Sequence, residues 1–284
     1  DLADVFCTTY EGVRAERAKE WKLVDHIAKP QQFEEMVKAR AAELAKLSDR
    51  PGGQGVALTP LKRDADEAGY RYTHVEVALD RAARTATLTV TAPMGRQPDE
   101  LEEILTQGAR WWPLAMAREL DDAILMLRTN DLDVGLWQIR TRGDIAAVLE
   151  ADATMAKFKD NWFVRETIGM LRRCLRRLDV SSRSMFAVLD EGSCFGGLFF
   201  ELALAADRSF MLKIEDDFAR APKVALSAAN FGLYPMNNGL SRLATRFANE
   251  AAPVEAARAT LGKQLQADQV AELGLVTFTP DELD

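Results

Sequence analysis

The chain has 284 residues, 48% of them hydrophobic and 28% charged, and its net charge is −8, which argues against a nucleic-acid partner because phosphates require basic surface. Its size allows one large core with an appendage, and no apolar run approaches the roughly 20 residues that span a bilayer. Since Cys7, Cys174 and Cys194 have no paired spacing, we expect neither disulfides nor a metal site. Together with the missing apolar run, this predicts a cytoplasmic protein without a membrane contact.

A short sequence near the start of the chain returns near its end. Residues 15–24 read AERAKEWKLV and residues 267–276 read ADQVAELGLV, and a proline follows each copy. The pattern predicts a short helix that leads into a Leu-Val strand, and its return after about a domain length predicts a duplicated domain. Residues 1–48 are then the tail of a first copy. Its apolar side chains, among them Trp21 and Leu23, should be exposed because the core they belong to is absent.

A helix and a linker separate the two copies. Residues 31–48 have apolar side chains at helical spacing. Residues 49–70 include Gly52-Gly53 and several charges but no periodic apolar face. We therefore expect residues 49–70 to be a linker and residues 71–284 to form the second, divergent copy.

From Tyr72 onward, strand patterns alternate with helix patterns. Residues 73–91 alternate as the two arms of a β-hairpin do. Strands separated by helices of ten or more residues pair in parallel with right-handed crossovers, so the fold class is α/β. The predicted helices are 113–128, 161–178 and 197–206, and the predicted strands after the hairpin are 134–139, 184–189 and 208–212.

The segment 186–207 is the strongest candidate for chemistry. A buried strand enters a glycine-rich turn, and a helix leaves it. Backbone N–H groups at the start of such a helix are unpaired and can hold a developing oxyanion, although the same glycines also allow a helix to pack closely on a strand. The candidate oxyanion or thioester residues are Gly196, Gly197 and Leu198. Glu201, one turn into the helix, is the candidate general acid or base.

This segment resembles the crotonase superfamily, in which a strand and a glycine-rich loop lead to a helix with Glu-Leu-Ala and a later Ala-Asp pair, here Glu201–Asp207. The resemblance covers roughly residues 72–280. It implies a crotonase-like α/β spiral of ββα units, preceded here by the helical tail of a truncated first copy. The other matching segments are residues 75–90, 119–139, 231–235 and 265–276.

Within the superfamily, residues 4–8 and 230–236 resemble the benzoyl-CoA-dihydrodiol lyase family, also called 2,3-epoxybenzoyl-CoA dihydrolases. The resemblance implies a CoA-thioester-dependent ring-opening C–C lyase of aerobic benzoate catabolism. Such an enzyme converts 2,3-epoxybenzoyl-CoA, or the dihydrodiol, to 3,4-didehydroadipyl-CoA semialdehyde and formate, with an acyl-CoA substrate and no other cofactor. It also implies that the reacting groups are in an N-terminal half, so that this segment is mainly scaffold and dimerisation surface in a homo-oligomer.

Three departures from the family's pattern favour the scaffold role. Where the family places its second oxyanion donor, residues 141–144 run directly into a helical pattern. The position of the family's second acid is Ala228, and Leu198 stands where a glycine is expected. Without a partner acid, Glu201 should be buried and satisfied by backbone N–H groups or an arginine. The isolated chain should bind acyl-CoA weakly or not at all.

Three alternatives stay open at this point. A self-sufficient enoyl-CoA hydratase or isomerase-like enzyme would use Glu201 alone. Cys194, near a helix start, would be favoured as a thiolate, but a buried packing cysteine fits better because no histidine is near it in sequence. The four arginines between positions 172 and 177 are either a solvated helix face or a contact for an adenosine phosphate.

Overall fold

The computed structural model describes residues 2–50, 52–53 and 55–281. The chain divides into two compact units, residues 1–55 and 56–284. Ala18 is the one buried hydrophobic residue of the first unit among those described. The predicted helix over 31–48 is confirmed as α3 (Pro30–Ala45), which begins with a proline whose fixed φ suits the first turn. The first unit contains α1 (Leu2–Thr8), α2 (Ala15–Glu20) and α3 (Pro30–Ala45).

The repeated sequences fold into the same helix end. α2 and α11 (Ala267–Glu272) have six residues each. Each is followed by a residue in the left-handed region, Lys22 at φ 59° and Gly274 at φ 67°. In both copies the N–H of the next residue donates to a carbonyl of the helix: Leu23 N to Ala18 O at 2.8 Å, and Leu275 N to Val270 O at 2.9 Å. Both ends are therefore Schellman motifs, which satisfy the last carbonyls of a helix.

The leucine-valine pair after this turn differs in exposure between the copies. Leu23 and Val24 are 48% and 42% exposed, whereas Leu275 and Val276 are buried. Leu23 and Val24 are thus exposed as predicted, whereas Trp21, for which we also expected exposure, is half-buried. The predicted Leu-Val strand is wrong in both copies, because the leucine N–H closes the helix and is not available to a sheet.

The second unit is built on a seven-stranded sheet whose strands lie in chain order. The pairs from β1 to β4 are antiparallel, and those from β4 to β7 are parallel. Alternate residues of β4 point into the core, where Ala86, Leu88 and Val90 are fully buried. The predicted α/β class is confirmed. The strands are β1 (Asp64–Asp66), β2 (Gly69–Arg71), β3 (Val75–Asp80), β4 (Thr85–Thr91), β5 (Leu136–Arg142), β6 (Ser184–Leu189) and β7 (Arg208–Met211), with a separate pair, β8 (Val224–Ala225) and β9 (Gln264–Leu265).

Helices connect the parallel strands and cover the sheet. β3, β4 and α5 (Trp112–Asn130) form the opening ββα unit that the resemblance implies. On α5, Leu120, Ile124 and Leu127 are buried at helical spacing, which gives the helix one apolar face for the core. Short 3-10 turns occupy Gly108–Arg110 and Ala228–Phe231. The helices are α4 (Leu101–Gln107), α5 (Trp112–Asn130), α6 (Ile145–Lys157), α7 (Trp162–Asp179), α8 (Gly197–Ala205), α9 (Arg242–Arg246), α10 (Ala251–Arg258) and α11.

The observed strands differ from the sequence prediction in several places. β1 and β2 lie inside residues 49–70, which we expected to be linker, so the sheet starts before residue 71. Gly69 adopts φ 140° there, and a side chain on it would overlap the Val77 carbonyl. Strands of three residues are too short to show an alternating pattern. β5 ends at Arg142 rather than at 139, because it pairs with β4 along that strand's whole length.

Candidate functional site

The glycine-rich turn joins β6 to α8 at the carboxyl end of the parallel strands. Gly196 is the N-cap of α8, and Gly197 has φ 44°, in the left-handed region. A side chain at Gly196 would come within 2.6 Å of Ile145, and one at Gly197 would overlap the Asp152 carboxylate. Both glycines are therefore required by the close packing of α8 against α6.

The backbone N–H that would serve as an oxyanion donor is bound inside the protein. Leu198 N donates to Asp152 Oδ2 at 2.9 Å. Ser227 Oγ donates to the same oxygen at 2.6 Å. Asp152 is only 3% exposed. Its carboxyl group thus occupies the position in front of the Leu198 N–H that a thioester oxygen would need.

Burial governs the protonation of Asp152. Loss of solvent raises its pKa to about 7, against the opposing effect of the hydrogen bonds from Ser227 and Leu198. Oδ1, the second carboxyl oxygen, is buried and has no hydrogen-bond partner among the described residues. Since Oδ2 accepts both hydrogen bonds, the neutral acid carries its proton on Oδ1. Asp152 therefore titrates close to neutral pH.

Glu201, on the next turn of α8, belongs to a buried network of polar side chains. It is 1% exposed, and its carboxylate accepts from Asn230 Nδ2 at 2.8 Å and from Arg242 Nη1 at 2.9 Å. Arg242 also donates to both oxygens of Asp179, at 3.0 and 2.7 Å, and Asn230 donates to the Gly197 carbonyl at 2.9 Å. The expectation that Glu201 is buried and satisfied by an arginine is confirmed.

The charged side chains around Glu201 form a buried ion-pair network. Arg242 lies between two carboxylates, and all three side chains are at most 6% exposed. Burial raises the pKa of Glu201 to about 6, with Arg242 and Asn230 acting in the opposite direction. A general base must come within hydrogen-bonding reach of a substrate proton. Both oxygens of Glu201 are engaged by protein donors, so its contacts are those of an ion-pair network.

The two other expected departures are visible in the backbone. Ala228 begins a 3-10 helix that Ser227 and Asn230 close with a capping box, so this position supplies no second acid. After β5, Asp144 caps α6 by accepting a hydrogen bond from Ala146 N at 2.9 Å. The segment after β5 is thus the start of a helix rather than a glycine-rich donor loop.

Cys194 has the environment of a packing residue. Its side chain is fully buried, and burial raises the pKa of its thiol to about 11. Its backbone N–H donates to Thr141 Oγ1 at 2.9 Å, which fixes the turn to the end of β5. The thiolate is disfavoured, so the structure supports the packing interpretation over a nucleophile.

The described residues contain neither a cluster of metal-ligating side chains nor a membrane-spanning helix. Within residues 2–50, 52–53 and 55–281, no three histidine, cysteine, aspartate or glutamate side chains gather closely enough to hold a metal ion. None of the described helices combines the length and apolar character needed to cross a bilayer.

The sequence prediction did not single out Asp152, Ser227, Asn230 or Arg242. Asp152 has a detectable signal, because it stands four positions after the buried Val148 on the apolar face of α6. A carboxylate on such a face needs a partner inside the protein. Ser227 and Asn230 belong to one capping box, and Arg242 lies on α9; these segments meet Asp152 and Glu201 only through the fold.

Solved structures and known sequences provide two levels of comparison. No protein-family model matches the chain. The enoyl-CoA hydratase from Geobacillus kaustophilus HTA426 is similar over 75% of this chain and 70% of its own, with a TM-score of 0.46 and 16% identity. That from Bacillus anthracis is similar over 74% of this chain and 70% of its own, with a TM-score of 0.47 and 15% identity.

A much higher identity relates the chain to one lyase. Benzoyl-CoA-dihydrodiol lyase of Aromatoleum evansii is 58% identical over 286 residues, which take in all of this chain and 51% of that protein. The chain therefore spans about half the length of this curated relative. The resemblance to benzoyl-CoA-dihydrodiol lyases inferred from the sequence is confirmed.

Proposed function

We propose that this chain is the structural half of a CoA-thioester-dependent, ring-opening lyase of aerobic benzoate catabolism. The observation that carries the proposal is the 58% identity along the entire chain to half of benzoyl-CoA-dihydrodiol lyase. The proposed reaction of the whole enzyme takes up water and opens 2,3-epoxybenzoyl-CoA, or the dihydrodiol, to 3,4-didehydroadipyl-CoA semialdehyde and formate. CoA enters as part of the substrate, and no other cofactor is proposed.

The contacts of the turn support a structural rather than a catalytic role for this segment. An oxyanion hole is effective because its donors are preorganised toward the transition state. Here the Leu198 N–H is preorganised toward the Asp152 carboxyl group. Glu201 is held by Asn230 and Arg242. Binding a thioester at this turn would require breaking these buried hydrogen bonds, each of which leaves an unsatisfied group.

The proposed assembly is a homo-oligomer in the cytoplasm, to which this segment contributes contacts. The partner in this proposal is a second copy of the same enzyme.

The alternative function is a self-sufficient enoyl-CoA hydratase or isomerase-like activity that uses Glu201. One observation favours it: the pKa of Glu201 is raised to about 6, which suits a group that exchanges protons near neutral pH. Its burial and its two hydrogen-bond partners oppose it. The two proposals predict different effects on kcat when the Glu201 carboxylate is removed.

Glu201→Gln in the full-length enzyme separates the two functions. Formate release from 2,3-epoxybenzoyl-CoA, hydration of an enoyl-CoA and the thermal midpoint are measured together, with Glu255→Gln as the control because Glu255 forms an exposed pair with Arg258. For the structural role, we expect a lower midpoint and a kcat within about twofold of wild type. A loss of about 10² or more in kcat with an unchanged midpoint, the signature of a general acid or base, would contradict it.

A further inference from the structure

We propose that a groove on α5 and α7 binds the phosphate groups of a small molecule. The groove has a volume of about 630 Å³, and five arginines line it together with Gly169. One arginine is on α5 and four are on α7. The residues that bind Asp152 and Glu201 are not among those lining it, so the groove is separate from the glycine-rich turn. The arginines are Arg128, Arg172, Arg173, Arg176 and Arg177.

Two of these arginines are fixed by the protein. Arg177 Nε donates to Asp121 at 2.6 Å. Arg176 donates to the carbonyls of Pro235 and Met236 at 2.8 and 3.2 Å. Both residues stand in the last turn of α7, where the helix dipole favours cations. Their presence therefore has a structural explanation, and they form a rigid side of the groove.

The other three arginines have no such explanation. No carboxylate in the described part of the chain forms an ion pair with Arg128, Arg172 or Arg173; Arg173 contacts the sulfur of Met170. Arg172 Nε is buried without a hydrogen-bond partner. Arg172 and Arg173 each stand one turn before another arginine, a like-charge spacing that destabilises a helix. In a chain of net charge −8, this is a concentrated positive field.

Gly169 is an independent indication of a ligand. It lies in the middle of the 18-residue α7, where glycine is the least favourable residue after proline. Its φ is outside the left-handed region, and a Cβ added there would meet no atom within 4 Å. Neither the backbone nor the packing requires a glycine. Its absent side chain leaves the groove open, so that a ligand can approach the helix closely.

The chemistry of the groove selects a ligand with more than one phosphate. Guanidinium groups form two parallel hydrogen bonds to phosphate oxygens, and their charge does not vary with pH. Three unneutralised guanidiniums match the charge of a diphosphate or a bisphosphate. The volume fits a small molecule rather than a folded partner. Inorganic pyrophosphate and a nucleoside bisphosphate share this chemistry.

Isothermal titration calorimetry of the chain with pyrophosphate and with adenosine 3′,5′-bisphosphate tests the proposal. We expect both to bind, with an affinity that falls as salt rises and that drops at least about tenfold in Arg172→Gln/Arg173→Gln. The control Arg96→Gln/Lys159→Gln removes the same charge elsewhere and should bind like wild type. Gly169→Ala should weaken binding while the thermal midpoint stays the same or rises.

The outcomes distinguish the ligand sources. Tighter binding of the bisphosphate than of pyrophosphate assigns the groove to a nucleotide, and equal binding assigns it to the phosphates alone. Absence of binding by both ligands, or equal affinity in the double variant and wild type, would overturn the proposal. Displacement of pyrophosphate by a polyglutamate peptide at equal affinity would also overturn it, in favour of a protein partner. No thioester is present, so the result is independent of the proposed lyase activity.

Discussion

Asp152 is the residue on which the state of the glycine-rich turn depends. It fills the space in front of the Leu198 N–H, and its pKa of about 7 means that it changes charge near neutral pH. Asparagine has the shape of the neutral acid and cannot lose a proton. Asp152→Asn therefore separates the space that the side chain fills from its charge.

The first prediction concerns the pH dependence of stability. Because burial raises the pKa of Asp152 from 3.8 to about 7, the folded state binds more protons than the unfolded state between about pH 4 and 7. The free energy of unfolding should therefore fall as pH rises through this window, by up to about 1.4 kcal/mol per pH unit. Glu201 adds a smaller effect of the same sign, from 4.5 to about 6.

Urea unfolding of wild type and Asp152→Asn at several pH values between about 5 and 8 measures this effect. We expect the variant to lose most of the slope and to be the more stable protein at the alkaline end. Parallel slopes in the two proteins would mean that Asp152 does not titrate in the folded state.

The second prediction compares two glycines with similar backbones. Gly192 and Gly197 are both left-handed, at φ 77° and 44°, but a Cβ on Gly192 meets nothing within 4 Å and one on Gly197 overlaps Asp152. Gly192→Ala should cost about 1 kcal/mol of unfolding free energy, from backbone strain alone. Gly197→Ala should cost about 1–3 kcal/mol more, from the overlap. Similar losses for both variants would place the Asp152 carboxyl group elsewhere.

At the scale of elements, the buried network of polar side chains fixes three helices to one another. Arg242 of α9 binds Glu201 of α8 and Asp179 at the end of α7. One cation therefore holds two buried carboxylates, and its loss leaves both without their main partner. Such a junction stabilises the relative positions of α7, α8 and α9 behind the turn.

The third prediction follows from that junction. Arg242→Ala should lower the free energy of unfolding by about 3–5 kcal/mol, because it leaves uncompensated buried charge. Arg258→Ala is the matched control: Arg258 also pairs with a glutamate, but both side chains are at least 43% exposed, and we expect a loss of about 1 kcal/mol or less. Chemical denaturation of the two variants gives both values. Comparable losses would show that the junction is not a buried ion-pair network.

The sequence predicted those elements that have a long local pattern. β6 was placed at its observed residues and α8 to within one residue, because a buried strand, a glycine turn and an apolar helix follow each other directly. β1 and β2 were missed, since three residues form no period. The contact of Asp152 with Leu198 could not be derived, because it joins residues 46 positions apart. Its existence depends on how α6 packs against α8.

At the scale of the whole molecule, the two copies of the repeated helix end differ in their exposure to solvent. Leu23 and Leu275 close equivalent Schellman motifs, but Leu23 is 48% exposed and Leu275 is buried. The repeat predicted the exposure of Leu23, and the burial of Leu275 is a finding of the structure. The sequence could not predict the turn geometry, which depends on the left-handed residue before each leucine.

The fourth prediction uses this pair as its own control. Leu275→Ala should lower the free energy of unfolding by about 2–5 kcal/mol, as expected for a buried leucine. Leu23→Ala, with the same chemistry on an exposed copy, should change it by about 0.5 kcal/mol or less. Urea denaturation of both variants checks the expectation. A large loss for Leu23→Ala would show that the first copy has a covered core of its own.

The central claim is that the turn from Gly196 to Leu198 is closed to a thioester by Asp152. Titration of the chain with S-benzoyl-pantetheine by calorimetry tests it most directly, since this thioester has no nucleotide phosphates and cannot use the arginine groove. The expected result is no detectable binding, with or without Glu201→Gln. A dissociation constant in the micromolar range, weakened in Gly197→Ala, would show that the turn is a working thioester site and would contradict the claim.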